Sequence, residues 1–287
     1  MILCFLDPPT HRIMITVQRF WDAARPLIDT TAQHPFLRAM VEGTLASRQF
    51  QYYVYQDALY LQDFAACLYR LADHATDLGY TPDAITLRQL AHTALQDELA
   101  LHTAYFQHWN KDDDDDVCAR YGQQQMPTTL LYTSYMTRIV AGGGSYSYGE
   151  GLAALLPCFW VYRHVGQGLL QLRTRLDTDT TPTTASRRSK QYDAWIDMYA
   201  GDDFATEVTK YIAIVNKELE RIQQPQSQSH TNHTTTTNPP TVFEDAQQAH
   251  EEEIQKMEDH FLMNCKLEHM FWDQAVALLE WPKIGGM

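Results

Sequence analysis

The sequence predicts an all-α protein, a single-domain helical bundle of two packed layers, on three observations. Apolar residues recur at three- and four-residue steps over long segments. Alternating β-branched runs bounded by turns are nearly absent. The longest segments open on helix-start signals such as Thr81-Pro82-Asp83, a cap followed by proline at the first helical position.

The elements follow in order. A first helix is expected over 16–31, ending before His34-Pro35-Phe36. Ser47 then reads as the cap of a long helix in which Phe50, Tyr53, Val54, Asp57, Leu61, Phe64, Leu68 and Leu71 share helical spacing. A third helix is expected to run unbroken over 81–110. Further helices are expected at 127–141, 147–175, 188–198, 202–223 and 241–280. The domain is taken as 16–280, with an N-terminal extension at 1–15, inserted loops at 111–126, 177–190 and 223–240, and a tail at 281–287. The first loop holds Lys111 and five consecutive aspartates, which repel one another. The second is Thr-rich with a basic end. The third has too little apolar surface to offset chain entropy. Met14 reads as an alternative translation start, an expectation that rests on helical patterning beginning just after it.

Composition narrows the function. Net charge is −14, from 36 acidic against 22 basic residues, which argues against a nucleic-acid or anionic-membrane surface. No stretch of about 18 consecutive apolar residues occurs, so no membrane span is expected. The N-terminal run Met1 to Leu6 is too short and uncharged for a signal peptide. Five scattered cysteines, Cys4, Cys67, Cys118, Cys158 and Cys265, form no CxxC pair. Neither a zinc site nor a disulfide framework is suggested, and a reducing compartment, most simply the cytoplasm, is expected.

The chemistry concentrates in a few segments. Leu155 to Gly166 places Cys158 directly after Pro157, where a helix is expected to restart and its N-terminus to depress the thiol pKa. Tyr162, four residues on, shares its helical face. A thiolate that attacks a bound small molecule fits this pairing, as does a cysteine simply buried in an aromatic core. Asp57 and Tyr60 lie three apart on one apolar face. An Asp there is costly unless paired, so it either serves a ligand or satisfies a structural hydrogen bond. Glu268 stands beside aromatics in Leu267 to Trp272. Burial would make it a proton donor near neutral pH, whereas on a surface face it would be an ordinary carboxylate. Tyr132 and Tyr199 are weaker signals singly. A metal reading rests on Glu98 and His102, four apart, with His74, His92, His260 and His269 also helical. The paired Glu-x-x-His pattern of di-iron bundles is missing, so no metal site is assigned.

Together these segments resemble the TenA family (thiaminase II, aminopyrimidine aminohydrolase). The matching stretches are His34-Pro35-Phe36, Tyr52 to Asp57, Tyr132 to Met136, Leu155 to Trp160, Trp195 to Gly201, and Glu268 to Trp272, all in family order over about 16–280. The resemblance implies a haem-oxygenase-like fold, no metal or organic cofactor, and a homotetramer. It implies a nucleophilic Cys158 adding to an electron-poor pyrimidine, and Glu268 protonating the departing amine and then activating water. It implies Asp57 holding the ring nitrogen and exocyclic amine, with Tyr60, Tyr132, Tyr162, Tyr199, Phe36 and Phe271 lining the pocket. The implied reaction converts 4-amino-5-aminomethyl-2-methylpyrimidine to the hydroxymethyl pyrimidine, with slower cleavage of thiamin. A non-catalytic thiamin-related binding or regulatory protein, and a haem or di-iron oxidative enzyme on the same fold, are the competing readings.

Overall fold

The computed structural model describes residues 14–109, 115–141, 145–179, 188–224, 241–283 and 285. Among them there is no β-strand. The helices are α1 (Gln18–Ala32), α2 (Pro35–Glu42), α3 (Ser47–Asp77), α4 (Thr81–Thr93), a π-helical turn (Ala94–Glu98), α5 (Leu99–Trp109), α6 (Asp115–Tyr121), α7 (Pro127–Val140), α8 (Tyr148–Asp179), α9 (Lys190–Ala200), α10 (Asp202–Gln223) and α11 (Thr241–Ala277). The all-α expectation is met, with corrections at particular elements.

Two short helices were not anticipated. α2 is held by its own chemistry: the His34 ring Nδ1 accepts from the Phe36 amide at 3.1 Å. Pro35 supplies the first helical φ, and Gly43, at φ 71°, ends the helix in the left-handed region. α6 falls inside the expected loop at 111–126. Its Val117 and Tyr121, four apart, are buried, and the Tyr121 ring meets Tyr52 at 4.8 Å. Ser47 does not cap α3, because Ala46 occupies that position. The helix expected over 81–110 is interrupted by the π-helical turn. The penta-aspartate lies partly outside the described residues, as does most of the Thr-rich loop and of the polar tract at 223–240.

The largest correction concerns Pro157. It does not restart a helix; α8 runs continuously from Tyr148 to Asp179 with Pro157 inside it. Proline removes the amide that would bond the Ala153 carbonyl and ordinarily costs about 3 kcal/mol in a helix interior. Here tertiary packing overrides that cost. α8 is the central rod, packed against α1, α2, α3, α7, α9, α10 and α11, and Leu152 to Leu156 are buried without exception. Cys158 therefore sits mid-helix, and a helix N-terminus is not what tunes its thiol.

α8 and α11 pack along each other, with α3, α7 and α9 arranged around them. One contiguous core runs through all of these, rich in Tyr, Phe and Trp. Its edges are fastened by polar groups. The Arg188 side chain is 3% exposed, and its guanidinium takes both Asp177 oxygens, at 3.0 and 2.9 Å, Asp193 at 2.6 Å and the Val41 carbonyl at 3.0 Å. It thus ties the ends of α8, α9 and α2. Gln223 exchanges hydrogen bonds with both backbone groups of Ile15.

Gly166 marks a close approach of α8 to α9. A Cβ there would lie 2.6 Å from the Tyr199 carbonyl carbon and 2.8 Å from its oxygen. Backbone cannot yield as a flexible side chain can, so Gly166→Ala is expected to destabilise the fold by about 2 kcal/mol or more. Urea unfolding of that variant measures the effect, and an unchanged midpoint would refute it.

Candidate active site

The functional candidates come from six helices and meet in one aromatic cluster. α3 supplies Asp57 and Tyr60, α7 Tyr132, α8 Cys158 and Tyr162, α9 Tyr199, α11 Glu268 and Phe271, and α2 Phe36. All but Cys158, which is half-buried, are shielded from solvent.

Glu268 is the electrostatic centre. Its side chain is 1% exposed, and the Tyr132 hydroxyl donates to its Oε1 at 2.7 Å. Burial pushes the carboxyl up from 4.5 to about 8. The Asp57 charge adds to that shift, and hydrogen bonds from Tyr132 and Tyr162 oppose it. At neutral pH this carboxyl holds its proton. Tyr162 continues the network: the Tyr53 hydroxyl donates to the Tyr162 hydroxyl at 3.4 Å, and the Trp195 indole N–H donates to Tyr53 at 3.3 Å.

Ring contacts close the walls. Tyr60 lies 4.8 Å from Tyr132 and 5.8 Å from Phe271. Phe271 and Phe36 both meet Tyr53, at 5.7 and 5.3 Å. Tyr199 meets Tyr162 at 5.0 Å and Trp195 at 4.5 Å. Burial holds the phenols of Tyr53, Tyr60, Tyr132 and Tyr162 well above 10. They are neutral hydrogen-bonding groups at physiological pH and cannot serve there as phenolate bases.

The thiols separate by environment. None of Cys67, Cys118, Cys158 and Cys265 is in a disulfide. Burial pushes Cys67 up to about 11 and raises Cys265 strongly, so both are poor nucleophiles. Cys158 differs in facing the site with partial solvent access, and its charge, when ionised, is felt at Tyr60 and Tyr132.

Sequence patterning alone did not single out Tyr53 or Trp195, which extend the hydrogen-bond chain beyond Tyr162. Nor did it give His102 a partner: the ring turns to Asp57 on α3, with Nε2 3.1 Å from Oδ2. Among the described residues, the groups spaced to share a cation are His34, His269 and Asp273. The hydrogen bonds oppose that use. His34 Nδ1 accepts the Phe36 amide, so the neutral ring carries its proton on Nε2, which faces Asp273 at 3.1 Å. A cavity of about 440 Å³ lies outside the cluster, lined by Leu101, Met198, Phe204 and the acidic Asp197, Asp203 and Glu207. It contains neither Cys158 nor Glu268.

The family model described as TENA/THI-4/PQQC matches residues 21–238. The chain belongs to that family. Family relatives include a Bacillus subtilis protein named aminopyrimidine aminohydrolase, 30% identical over 86% of this chain and 84% of its own length. A Halalkalibacterium halodurans protein of the same name is 27% identical over 91% and 95%. Among solved structures of the family, a TenA homologue from P. horikoshii superposes with a TM-score of 0.65 at 19% identity, covering 91% of this chain and 98% of the other. This likeness confirms the helical, haem-oxygenase-like fold. Glu268 and Phe271 lie beyond the family-model match, so their place in the site rests on geometry.

Proposed function

We propose that the protein is an aminopyrimidine aminohydrolase of thiamin salvage. It would convert the aminomethyl pyrimidine to the hydroxymethyl pyrimidine and, more slowly, cleave thiamin. The observation that carries the reading is Glu268: a buried carboxyl held protonated to about 8 and hydrogen-bonded to Tyr132, in a cluster that also holds a carboxylate and a half-buried thiol. The family membership and the names of the relatives support the same assignment.

The chemistry fits the residues. A flat heteroaromatic ring stacks on Tyr and Phe walls, and Asp57 pairs with its amino edge. The Cys158 thiolate adds to an electron-poor ring carbon, which makes the exocyclic C–N bond a leaving bond. Glu268 gives its proton to the departing nitrogen, because an amine is otherwise a poor leaving group. Water then adds at the exocyclic carbon, giving one proton back to Glu268, and the C–S bond breaks to return the thiolate. Aminomethyl pyrimidine and water thus become hydroxymethyl pyrimidine and ammonia. Two lower barriers replace one high one.

A homotetramer in the cytoplasm, binding small molecules with no nucleic-acid or membrane partner and using no metal or organic cofactor, belongs to this reading. No helix among the described residues is long and apolar enough to cross a membrane. The deciding experiment incubates purified protein with the aminomethyl pyrimidine, and separately with thiamin, and identifies products by mass spectrometry. Hydroxymethyl pyrimidine is expected from both, faster from the first. Binding of either compound without turnover would replace the enzyme with a pyrimidine-binding protein.

A further inference from the structure

His102 is 1% exposed, in a bundle whose other buried titratable groups are mostly explained. It stands early in α5, directly after the π-helical turn Ala94–Glu98. A π turn inserts an extra residue and rotates everything beyond it relative to a regular helix, and such turns occur frequently at functional sites. Here the helix beyond the turn presents His102 to α3. Its Nε2 approaches Asp57 Oδ2 at 3.1 Å, and the two side chains are 1% and 3% exposed. The ring is walled by Tyr105 and Phe106, each 6.4 Å away centre to centre.

The pair is close but not well aligned. Asp57 Oδ2 and His102 Nδ1 are both buried with no fully formed hydrogen bond among the described residues. A buried carboxylate oxygen and a buried ring nitrogen without hydrogen-bond partners are destabilising unless a further group completes them. A purely structural pair would be expected to spend that capacity on backbone or side-chain partners, as Gln56 does nearby with the Tyr121 and Gln124 carbonyls. Groups left short in this way fit a site whose remaining partners arrive with a ligand.

We propose that His102 is a positioning residue: it holds one oxygen of Asp57 so that the carboxylate presents a fixed plane to the amino edge of an aminopyrimidine, with the π turn setting the ring at that distance. The proposal rests on the aminopyrimidine reading of the site. A carboxylate on a helix rotates about two side-chain bonds, and pairing with an amidine-like edge requires both oxygens to lie in the plane of the ring. The imidazole edge, 3.1 Å from Oδ2, restricts that rotation. The Asp57 charge is felt by Tyr53, Tyr105, Tyr162 and Glu268, so a wandering carboxylate would also disturb the acid that the reaction needs.

Calorimetric binding tests this with two ligands, the hydroxymethyl aminopyrimidine and its analogue lacking the ring amino group. Wild type is expected to prefer the amino compound. In His102→Ala that preference should shrink roughly 10-fold or more, with affinity for the analogue nearly unchanged. His102→Gln, whose amide N–H reaches the position of Nε2, should restore most of it. In kinetics the Ala variant should raise KM for the amino substrate more than it lowers kcat, whereas a merely structural loss would depress both ligands and both constants alike. If the Ala variant does not fold, the Gln variant and the wild-type imidazole NMR signals decide. The His102 Nε2–H resonance, assigned by its disappearance in His102→Gln, should shift on adding the amino ligand and not the analogue. An unchanged preference in the Ala variant, or a resonance indifferent to ligand, overturns the proposal. Failure of wild type to bind either compound would instead overturn the aminopyrimidine reading itself.

Discussion

Cys158→Ala is expected to abolish turnover while the protein folds and binds its pyrimidine. The thiol is half-buried on α8, and alanine removes a single heavy atom from it, so the stability loss should stay within about 1.5 kcal/mol. Catalysis has no such reserve. Cys67 and Cys265 are buried, with thiols held too high to substitute, and the phenols around the site are equally unable to ionise at neutral pH. Loss of a covalent nucleophile typically costs on the order of 10³- to 10⁶-fold in kcat. The measurement is steady-state turnover of the aminomethyl pyrimidine, paired with calorimetric binding of the hydroxymethyl product. Affinity should hold within roughly a factor of three, since Asp57 and the aromatic walls supply the binding. Persistent turnover in this variant would remove the covalent mechanism.

That cysteine also shows what the sequence could reveal and what it could not. Its neighbourhood was legible, because the spacing of Cys158 and Tyr162 puts both on one face of any helix. Its local backbone was not. Pro157 argues for a break by local rules, and only the packing of α8 on seven other helices overrides them. The long helices with sustained periodicity emerged within a few residues of their true ends. α2 and α6 did not, since eight and seven residues carry too few turns for a period to register. α2 depends instead on the His34 ring capping Phe36, a role that histidine seldom signals.

The site divides in the same way. Asp57, Tyr60 and Glu268 stood out because a polar group on an apolar helical face is conspicuous, whereas Tyr132 and Tyr199 entered only through the family resemblance. Tyr53 and Trp195 were hidden, as aromatic residues at helical spacing look like any other core. The place of His102 was hidden for a physical reason: its partner lies forty-five residues away on α3, and local spacing points only along its own helix. The π turn that rotates it has no compositional mark.

Glu268→Gln is expected to change stability and activity in opposite directions above neutral pH. Folding raises this carboxyl from 4.5 to about 8. The folded protein therefore holds a proton that the unfolded chain has released between those values. The stability associated with Glu268 is full below pH 4.5 and is lost as pH rises through about 8. At about 1.4 kcal/mol per unit, the loss approaches about 5 kcal/mol at the alkaline end. Glutamine cannot ionise, and its carbonyl can still accept from Tyr132. Near pH 5 its amide should be slightly destabilising, because the second N–H needs a partner, by about 1–2 kcal/mol. By pH 8 the variant should be the more stable protein. Urea unfolding of both proteins across this range reads the difference, which should climb steadily with pH. Turnover should move the other way. Without a proton for the leaving amine, kcat is expected to fall about 10²- to 10⁴-fold. The alkaline limb of the wild-type rate profile, set near pH 8 by the same carboxyl, should vanish from whatever activity remains. A stability difference that does not vary with pH would mean that Glu268 is ionised in the folded protein. The acid role assigned to it would then fall, whatever the variant does to the rate.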